Sequence, residues 1–336
     1  MKYDYSFKES LLSLVPVVKN IYLALDRGED NTEEEIKKIP SVKIIPSIWD
    51  MSIKKGHILS VETNKALEVL RVEHGDDENA WGIYLQADEV LHQDDYELLK
   101  QDLEKAEVEG CDAIAFRYLH FWQTHHHLAV AKNWYPQEIR AIKLKSSILS
   151  YGDAQGFLGQ TKIFQSNVRV FHYGHVRDQS IYKNKMEDMS KLYDADATKS
   201  KYYNAKDRDK DQSLVIKYFG SHPNVMKERI LRMNDIFELP EVLEVYIVGN
   251  PEKYTKSFLS SIKAKNIYWL STTKQISKEK LNSSVVVIDQ RFLDKFFFKS
   301  NVPKKMLSKI AIEWSPDFYL TLKLSEKNIG LKNQFI

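Results

Sequence analysis

Blocks of apolar and polar positions alternate along the first half of this chain, and their spacing predicts strands and helices in turn. Apolar runs bounded by polar residues predict strands over residues 20–25, 43–46, 81–87 and 112–118. Stretches with helical spacing predict helices over residues 6–18, 33–39, 56–72 and 94–107. This alternation is typical of an α/β protein with a layered sheet.

The pattern loosens after about residue 119 and becomes regular again near the end of the chain. Short strands at 138–142 and 168–172 and a polar helix over 180–193 are followed by a charged stretch at 195–213. Glu238-Leu239-Pro240-Glu241 resembles a domain boundary.

A second, small α/β unit is predicted beyond this boundary. Its predicted strands and helices cover residues 245–249, 255–264, 266–270, 284–289 and 291–298. We therefore predict one domain over residues 1–235 and a small α/β accessory domain over residues 241–336.

The most informative local pattern is the segment from Trp81 to Val90, in which an apolar run ends in Asp88 and Glu89. A run that is apolar on both faces favours a parallel strand covered by helices, and ligands collect at the carboxyl ends of such strands. Carboxylates in that position often hold a divalent cation against phosphates. A second interpretation stays open, in which both acids cap a helix that begins near Gln93.

Composition narrows the class of protein. The 336 residues are 43% hydrophobic, which is enough to form substantial cores, and the formal net charge of +2 calls for neither nucleic acid nor an anionic membrane as partner. The single cysteine, Cys111, excludes an internal disulfide framework and fits a reducing compartment. No apolar run reaches membrane-spanning length, and the start does not look like a signal peptide, so we expect a cytoplasmic protein without a transmembrane segment.

Several short segments, taken in their order, resemble family-2 glycosyltransferases with the GT-A fold, and in particular a bacterial subgroup. The resemblance covers roughly residues 1–232 and implies a mixed, mostly parallel sheet flanked by helices. The segments that carry it are Gln86–Glu89, His120–Trp122, Asn133–Arg140, Ser150–Phe157, Phe171–Val176 and Phe219–Pro223.

The resemblance also implies roles for individual residues. Asp88 would correspond to the carboxylate of the D-x-D element that holds Mg or Mn against the diphosphate of a nucleotide sugar, and Gln86 replaces the first acid of that element. Asp26, at the end of its strand, resembles the acid that contacts the nucleotide base or ribose. Asp153 resembles the catalytic base, and His172 could complete the coordination of the metal.

Chemical reasoning supports a carboxylate at Asp153. Inverting sugar transfer needs a carboxylate that takes the proton of the acceptor hydroxyl, opposite a diphosphate leaving group whose charge must be neutralised. Asp153 lies between Gly152 and Ala154, in a segment expected to turn closely. The competing interpretation is a turn aspartate that hydrogen-bonds its own backbone.

Alternatives stay open for the other candidates as well. His172 could be a buried structural histidine instead of a metal ligand. Trp122, Trp134 and Tyr135 could form a sugar-stacking surface that binds the acceptor, or they could pack in the core. The triplet His125-His126-His127 points its side chains in different directions, which favours a solvated or acceptor-facing loop over a metal site.

The leading hypothesis is an inverting, metal-dependent glycosyltransferase that uses a nucleotide-sugar donor and a glycan or lipid-linked acceptor. The chain opens at Met1-Lys2-Tyr3-Asp4-Tyr5, just after the position where related enzymes have a first apolar strand, and we expect the lack of that strand to weaken the donor pocket. The alternative is therefore a non-catalytic nucleotide- or glycan-binding relative. A nucleotidyltransferase ranks last, because no Gly-rich phosphate loop followed by a lysine is present.

Overall fold

A computed structural model describes residues 2–28, 30–129, 134–193, 215–218 and 221–233, together with the backbone of five strands further along the chain. The chain divides into two compact units. The first unit consists of Met1–Leu119, Pro136–Gln212 and Pro223–Met226. The second unit consists of His120–Tyr135, Ser213–His222 and Lys227–Ile336. The division predicted between residues 235 and 241 stays a prediction.

The helices of the first unit follow the predicted order. They are α1 (Phe7–Leu14), α2 (Thr32–Ile36), α3 (His57–His74), α4 (Tyr96–Val108) and α5 (Gln179–Tyr193). A 3-10 turn at Gln93–Asp95 directly precedes α4, and another lies at Asn224–Met226. All five helices lie where the apolar spacing predicted them, because one face of each provides apolar side chains for the core.

In the described part of the chain, ten strands precede α5. They are β1 (Ile21–Asp26), β2 (Val42–Ser47), β3 (Trp81–Ile83), β4 (Glu89–Leu91), β5 (Ala113–Trp122), β6 (His127–Ala129), β7 (Gln137–Lys143), β8 (Leu149–Tyr151), β9 (Gly156–Leu158) and β10 (Ile163–His175). β6 and the last three residues of β5 belong to the second unit, and the others belong to the first. The strand predicted over residues 81–87 is shorter than expected and ends at Ile83.

The larger sheet of the first unit has the strand order β3-β7-β5-β10-β4. β7 is antiparallel to both β3 and β5, and β4 is antiparallel to β10. Strands β1 and β2 form a separate two-stranded sheet and pair in parallel. The protein is thus a mixed α/β protein, but the mostly parallel sheet is not confirmed. An apolar run covered on both faces has the same pattern in either direction, so it could not establish the direction of pairing.

Helix α3 fixes a hairpin that is important for the candidate site. Strands β8 and β9 pair in an antiparallel hairpin, and Phe157 of β9 shares a cluster of buried apolar side chains with Leu67 of α3 and Ile142 of β7. The Asn64 side chain of α3 both donates to the carbonyl and accepts from the N–H of Ser150, at 2.9 Å in each case. The hairpin is therefore held against α3 by packing and by paired hydrogen bonds.

The second unit contains two further groups of strands. β11 (Val215–Lys217) pairs with β6, and α6 spans Lys227–Arg232. A five-stranded sheet has the order β13-β12-β14-β16-β15, made of β12 (Val242–Val248), β13 (Ala264–Leu270), β14 (Val285–Asp289), β15 (Ile310–Ala311) and β16 (Thr321–Leu324). β12 is parallel to both of its neighbours, whereas β16 is antiparallel to β14 and β15.

The three strands predicted in this part correspond to β12, β13 and β14. The charged stretch 195–213, the boundary at 238–241 and the helix at 291–298 lie outside the described residues. The helix predicted over 255–264 also lies outside them, except for Ala264, which begins β13. Among the described residues, no helix combines the length and the apolar character that crossing a membrane requires.

Candidate functional site

The segment Gln86–Glu89 is a turn between β3 and β4, and not the end of a long strand. The N–H of Glu89 donates to the carbonyl of Gln86 at 3.0 Å, and the N–H of Gln86 donates to the Glu89 carboxylate at 3.1 Å. Both acids precede or begin β4, so the helix-cap interpretation is wrong. The 3-10 turn at Gln93 is capped by the His92 side chain, which accepts from the Asp94 N–H at 3.2 Å.

Glu89 is a buried structural residue. Arg140 of β7 binds it with two hydrogen bonds, from Nε at 3.0 Å and from Nη2 at 2.9 Å, and the Tyr118 hydroxyl donates to it at 2.7 Å. Arg140 itself is buried between the rings of Tyr84 and Tyr118, with its guanidinium carbon 5.1 Å from each ring centroid. With Gln86 N–H as a further donor, the Glu89 carboxylate has little capacity left for a ligand.

Asp88 points to different partners. Its Oδ2 atom lies 3.5 Å from the Lys185 ammonium of α5, and its Oδ1 atom lies 3.8 Å from Nε2 of His172 in β10. The Asp88 carbonyl accepts the Tyr173 N–H at 2.8 Å, which ties the turn to β10. All three side chains are buried. We call the group of Asp88, His172 and Lys185 the Asp88 pocket.

Gly174 allows the Asp88 pocket to be this compact. A Cβ atom at this position would lie 2.5 Å from His172 Nε2 and 2.8 Å from Asp88 Oδ2. Side-chain carbon atoms do not approach polar atoms so closely, so any larger residue would displace the imidazole or the carboxylate. The carbonyl of Gly174 also accepts a hydrogen bond from Lys185 Nζ at 3.0 Å.

The ionisation of the three groups is interdependent. Burial raises the pKa of Asp88, but Lys185, His172 and Arg177 lower it by more, so this carboxyl has a pKa below its usual range. Burial lowers the pKa of Lys185 to about 7, assisted by Arg177 and opposed by Asp88. Burial likewise lowers the pKa of His172, although Asp88 and Glu89 act in the other direction. Asp88 is therefore ionised at neutral pH.

The Asp88 pocket does not fit a divalent cation in its present arrangement. Mg or Mn would bind a carboxylate oxygen at about 2 Å, and the Lys185 ammonium lies 3.5 Å from Oδ2 of Asp88. A dication and an ammonium in such proximity would repel each other by several kcal/mol. Among the described residues, no group of three or more His, Cys, Asp or Glu side chains could hold a metal ion. The need for Mg or Mn stays a prediction.

Asp153 lies at the tip of the hairpin formed by β8 and β9. The residues on both sides have left-handed backbones, with φ of +58° at Gly152 and +60° at Ala154, so the segment turns as expected. The Asp153 carboxylate accepts from the Tyr193 hydroxyl at 2.9 Å, and no backbone N–H of the described residues donates to it. Gly56 admits this contact, because a Cβ there would lie 2.7 Å from the Tyr193 ring.

One direct hydrogen bond and one bridge through Arg140 of β7 connect the Asp88 turn and the Asp153 turn within the first unit. Nε2 of Gln86 donates to the carbonyl of Ala154 at 3.2 Å. Arg140, which binds Glu89, also donates from Nη1 to the carbonyl of Gln155 at 2.8 Å. Gln86 and Ala154 are 68 residues apart in the sequence, and they lie close to Asp88 and Asp153, respectively. The bond between them therefore joins the two turns next to these acids.

Asp26 and the aromatic candidates lie elsewhere. Asp26 is exposed at the end of β1, opposite Ser47, and accepts the N–H of Arg27 at 2.8 Å. Trp122 is buried, with its ring 5.6 Å from that of Trp134 and nearly perpendicular to it, which favours core packing for Trp122. Trp134 and Tyr135 are partly exposed. These three aromatic residues belong to the second unit.

The histidine triplet is not a solvated loop throughout, because His125 is fully buried. Its ring lies 5.9 Å from that of His222, and the His126 ring lies 6.0 Å from the same partner. Nδ1 of His127 forms a hydrogen bond with the Thr124 hydroxyl at 2.8 Å. The triplet is therefore partly a packing element of the second unit.

The sequence interpretation missed Lys185, Arg140, Tyr193 and Glu138. A signal for Lys185 was available, because it lies among Tyr182, Met186 and Ser190 on the buried face of α5. Arg140 similarly interrupts an apolar strand. Glu138 accepts from Gln155 Nε2 at 2.6 Å, and burial raises the pKa of this carboxyl despite that bond and nearby Arg140.

The sequence matches no known protein-family profile, and no curated protein matches it either. The chemistry of the site therefore has to be inferred from its residues.

Proposed function

We propose that this protein transfers a sugar from a nucleotide-sugar donor to a hydroxyl acceptor with inversion at the anomeric carbon. The observation that carries the proposal is the connection between the Asp88 turn and the Asp153 turn, made by Gln86 and Arg140. The resemblance assigns Asp88 to binding of the donor diphosphate and Asp153 to removal of the acceptor proton. These two acids thus lie on turns that contact each other. The hydrogen bonds of this connection, at 3.2 Å and 2.8 Å, join backbone next to both acids, which favours a preorganised site.

In the proposed reaction the acceptor oxygen attacks the anomeric carbon, and the bond from that carbon to the diphosphate oxygen breaks. Asp153 accepts the acceptor proton, and the nucleoside diphosphate leaves with the bonding electrons. Tyr193 donates to Oδ2 of Asp153, which leaves Oδ1 to accept the proton. No step of this reaction is assigned to a metal.

The proposal is tested first by binding. A thermal-shift screen with a panel of nucleoside diphosphate sugars should raise the melting temperature for at least one donor, because a ligand of the folded state stabilises it by mass action. Radiolabelled transfer from that donor to hydroxyl acceptors then measures turnover. Donor binding without transfer to any acceptor would favour the non-catalytic binding relative, and no binding of any donor would contradict the proposal.

Asp153→Asn then separates a general base from a structural turn residue. Asparagine keeps the shape and can still accept from Tyr193, but it cannot take a proton, so transfer should fall by roughly 100-fold or more with donor binding nearly unchanged. Glu138→Gln is the matched control, since it removes a neighbouring carboxyl. Equal rates for Asp153→Asn and the wild type would remove Asp153 from the mechanism, and a loss confined to Glu138→Gln would transfer the role to that residue.

A further inference from the structure

Lys185 has a hydrogen-bonding capacity that the described residues do not use. An ammonium has three N–H donors, and its hydrogen-bond acceptors among the described residues are the carbonyl of Gly174, at 3.0 Å, and Oδ2 of Asp88, at 3.5 Å. The contact with Asp88 is at the outer limit of a hydrogen bond. Nζ also lies 4.6 Å from the centroid of the Tyr5 ring. A buried ammonium with one N–H donor left over can bind an anionic oxygen.

Lys185 lies at the position where a ligand phosphate is expected to bind. The resemblance implies a divalent cation bound to the Asp88 carboxylate. The Lys185 ammonium lies 3.5 Å from Oδ2 of that carboxylate and therefore provides a positive charge in the same place. Arg177 adds a second cation nearby, because its guanidinium carbon lies 4.8 Å from the centroid of the same Tyr5 ring. The backbone of Gly174 packs closely against this group, because a Cβ atom there would lie 2.8 Å from Asp88 Oδ2 and 2.5 Å from His172 Nε2.

We propose that Lys185 takes the place of the divalent cation, so that the pocket binds the diphosphate of its ligand through a protein ammonium and requires no metal. This inference rests on the proposed function and deepens it. Asp88 and the Gly174 carbonyl hold the ammonium in position, and its remaining N–H donates to a phosphate oxygen. Asp88 is then a positioning residue for Lys185, and its negative charge is neutralised before the diphosphate arrives.

Calorimetry with nucleoside diphosphates and with inorganic pyrophosphate tests the proposal. Titrations at about pH 6, where the amine is protonated, are run with EDTA and again with manganese. The wild type should bind equally well in both conditions. Lys185→Met should weaken binding in EDTA by roughly 10- to 100-fold, as expected for the loss of one charge-assisted hydrogen bond. Lys183→Met, on the exposed side of α5, should bind as the wild type does.

The double variant Asp88→Asn/Lys185→Met removes both charges, and it keeps the test valid if the single variant folds poorly. It should also lose binding in EDTA. Binding by the wild type only with manganese would overturn the inference and leave the proposed function standing. Unchanged binding by both Lys185 variants in EDTA would overturn it as well. Binding of neither nucleotide nor pyrophosphate in any condition would overturn both the inference and the proposed function.

Discussion

The neighbouring acids Asp88 and Glu89 lie in two buried regions of opposite character. Glu89 is saturated by a two-bond contact with Arg140 and by Tyr118, at 2.7–3.0 Å, whereas Asp88 has a looser partner in Lys185 at 3.5 Å. Arginine cannot lose its proton inside a protein, but a buried lysine can. The pair of Glu89 and Arg140 is therefore a fixed structural contact, whereas in the pair of Asp88 and Lys185 the lysine can change its charge and its partner.

The largest effect is expected from breaking the Glu89 pair. Arg140→Met leaves an uncompensated buried carboxylate and removes the bonds to Gln155 and Ile139, so the free energy of unfolding should fall by about 3–5 kcal/mol. Urea denaturation measures the change. Lys145→Met, which breaks an exposed pair with Glu78, is the control and should cost less than about 1 kcal/mol. Equal effects of the two variants would show that the Glu89 pair is not structural.

A second test asks how tightly the Asp88 pocket is built. Gly174→Ala places a carbon atom 2.5 Å from His172 Nε2, so the pocket must expand, at a cost of about 1–3 kcal/mol in the free energy of unfolding. Diphosphate binding should weaken at the same time, because Asp88 and Lys185 no longer hold their positions. Gly110→Ala is a useful comparison, because its Cβ meets no atom within 4 Å and only its backbone conformation is strained. A Gly174 variant with normal binding would mean that the pocket tolerates rearrangement.

The smallest effect is expected for Asp88→Asn, and it should depend on pH. The pKa of Lys185 is about 7 in the folded protein and 10.5 ordinarily, so the folded state binds fewer protons between these values and its stability rises with pH there. Losing Asp88 lowers this pKa further and extends the same dependence below pH 7. The cost should therefore be about 1 kcal/mol or less at pH 8 and grow by about 1 kcal/mol per unit towards pH 6.

Denaturation of the wild type, Asp88→Asn and Lys185→Met over this pH range checks the assignment. Lys185→Met should lack the rise in stability above pH 7, because it has no amine to titrate. A cost of Asp88→Asn that stays constant from pH 6 to pH 8 would contradict the coupling between Asp88 and Lys185.

The sequence by itself determined the five helices of the first unit, the strands β1, β2, β3, β5, β7 and β10, and the turn at Asp153, but it did not predict β4, β8 or β9. Apolar periodicity indicates which side of a segment is buried. A glycine such as Gly152, which adopts a left-handed backbone, indicates a turn. Both signals are local in the sequence. The same information placed β12, β13 and β14.

Only the tertiary structure decided what the two neighbouring acids do. The partner of Glu89 lies 51 residues away and the partner of Asp88 lies 97 residues away, so no local pattern could assign them. The antiparallel pairing of β3 with β7 is likewise non-local, since a doubly covered strand has the same sequence pattern in either direction. Glu89 has a structural role because it is buried and paired with Arg140, whereas Asp88 contacts Lys185 in the candidate site.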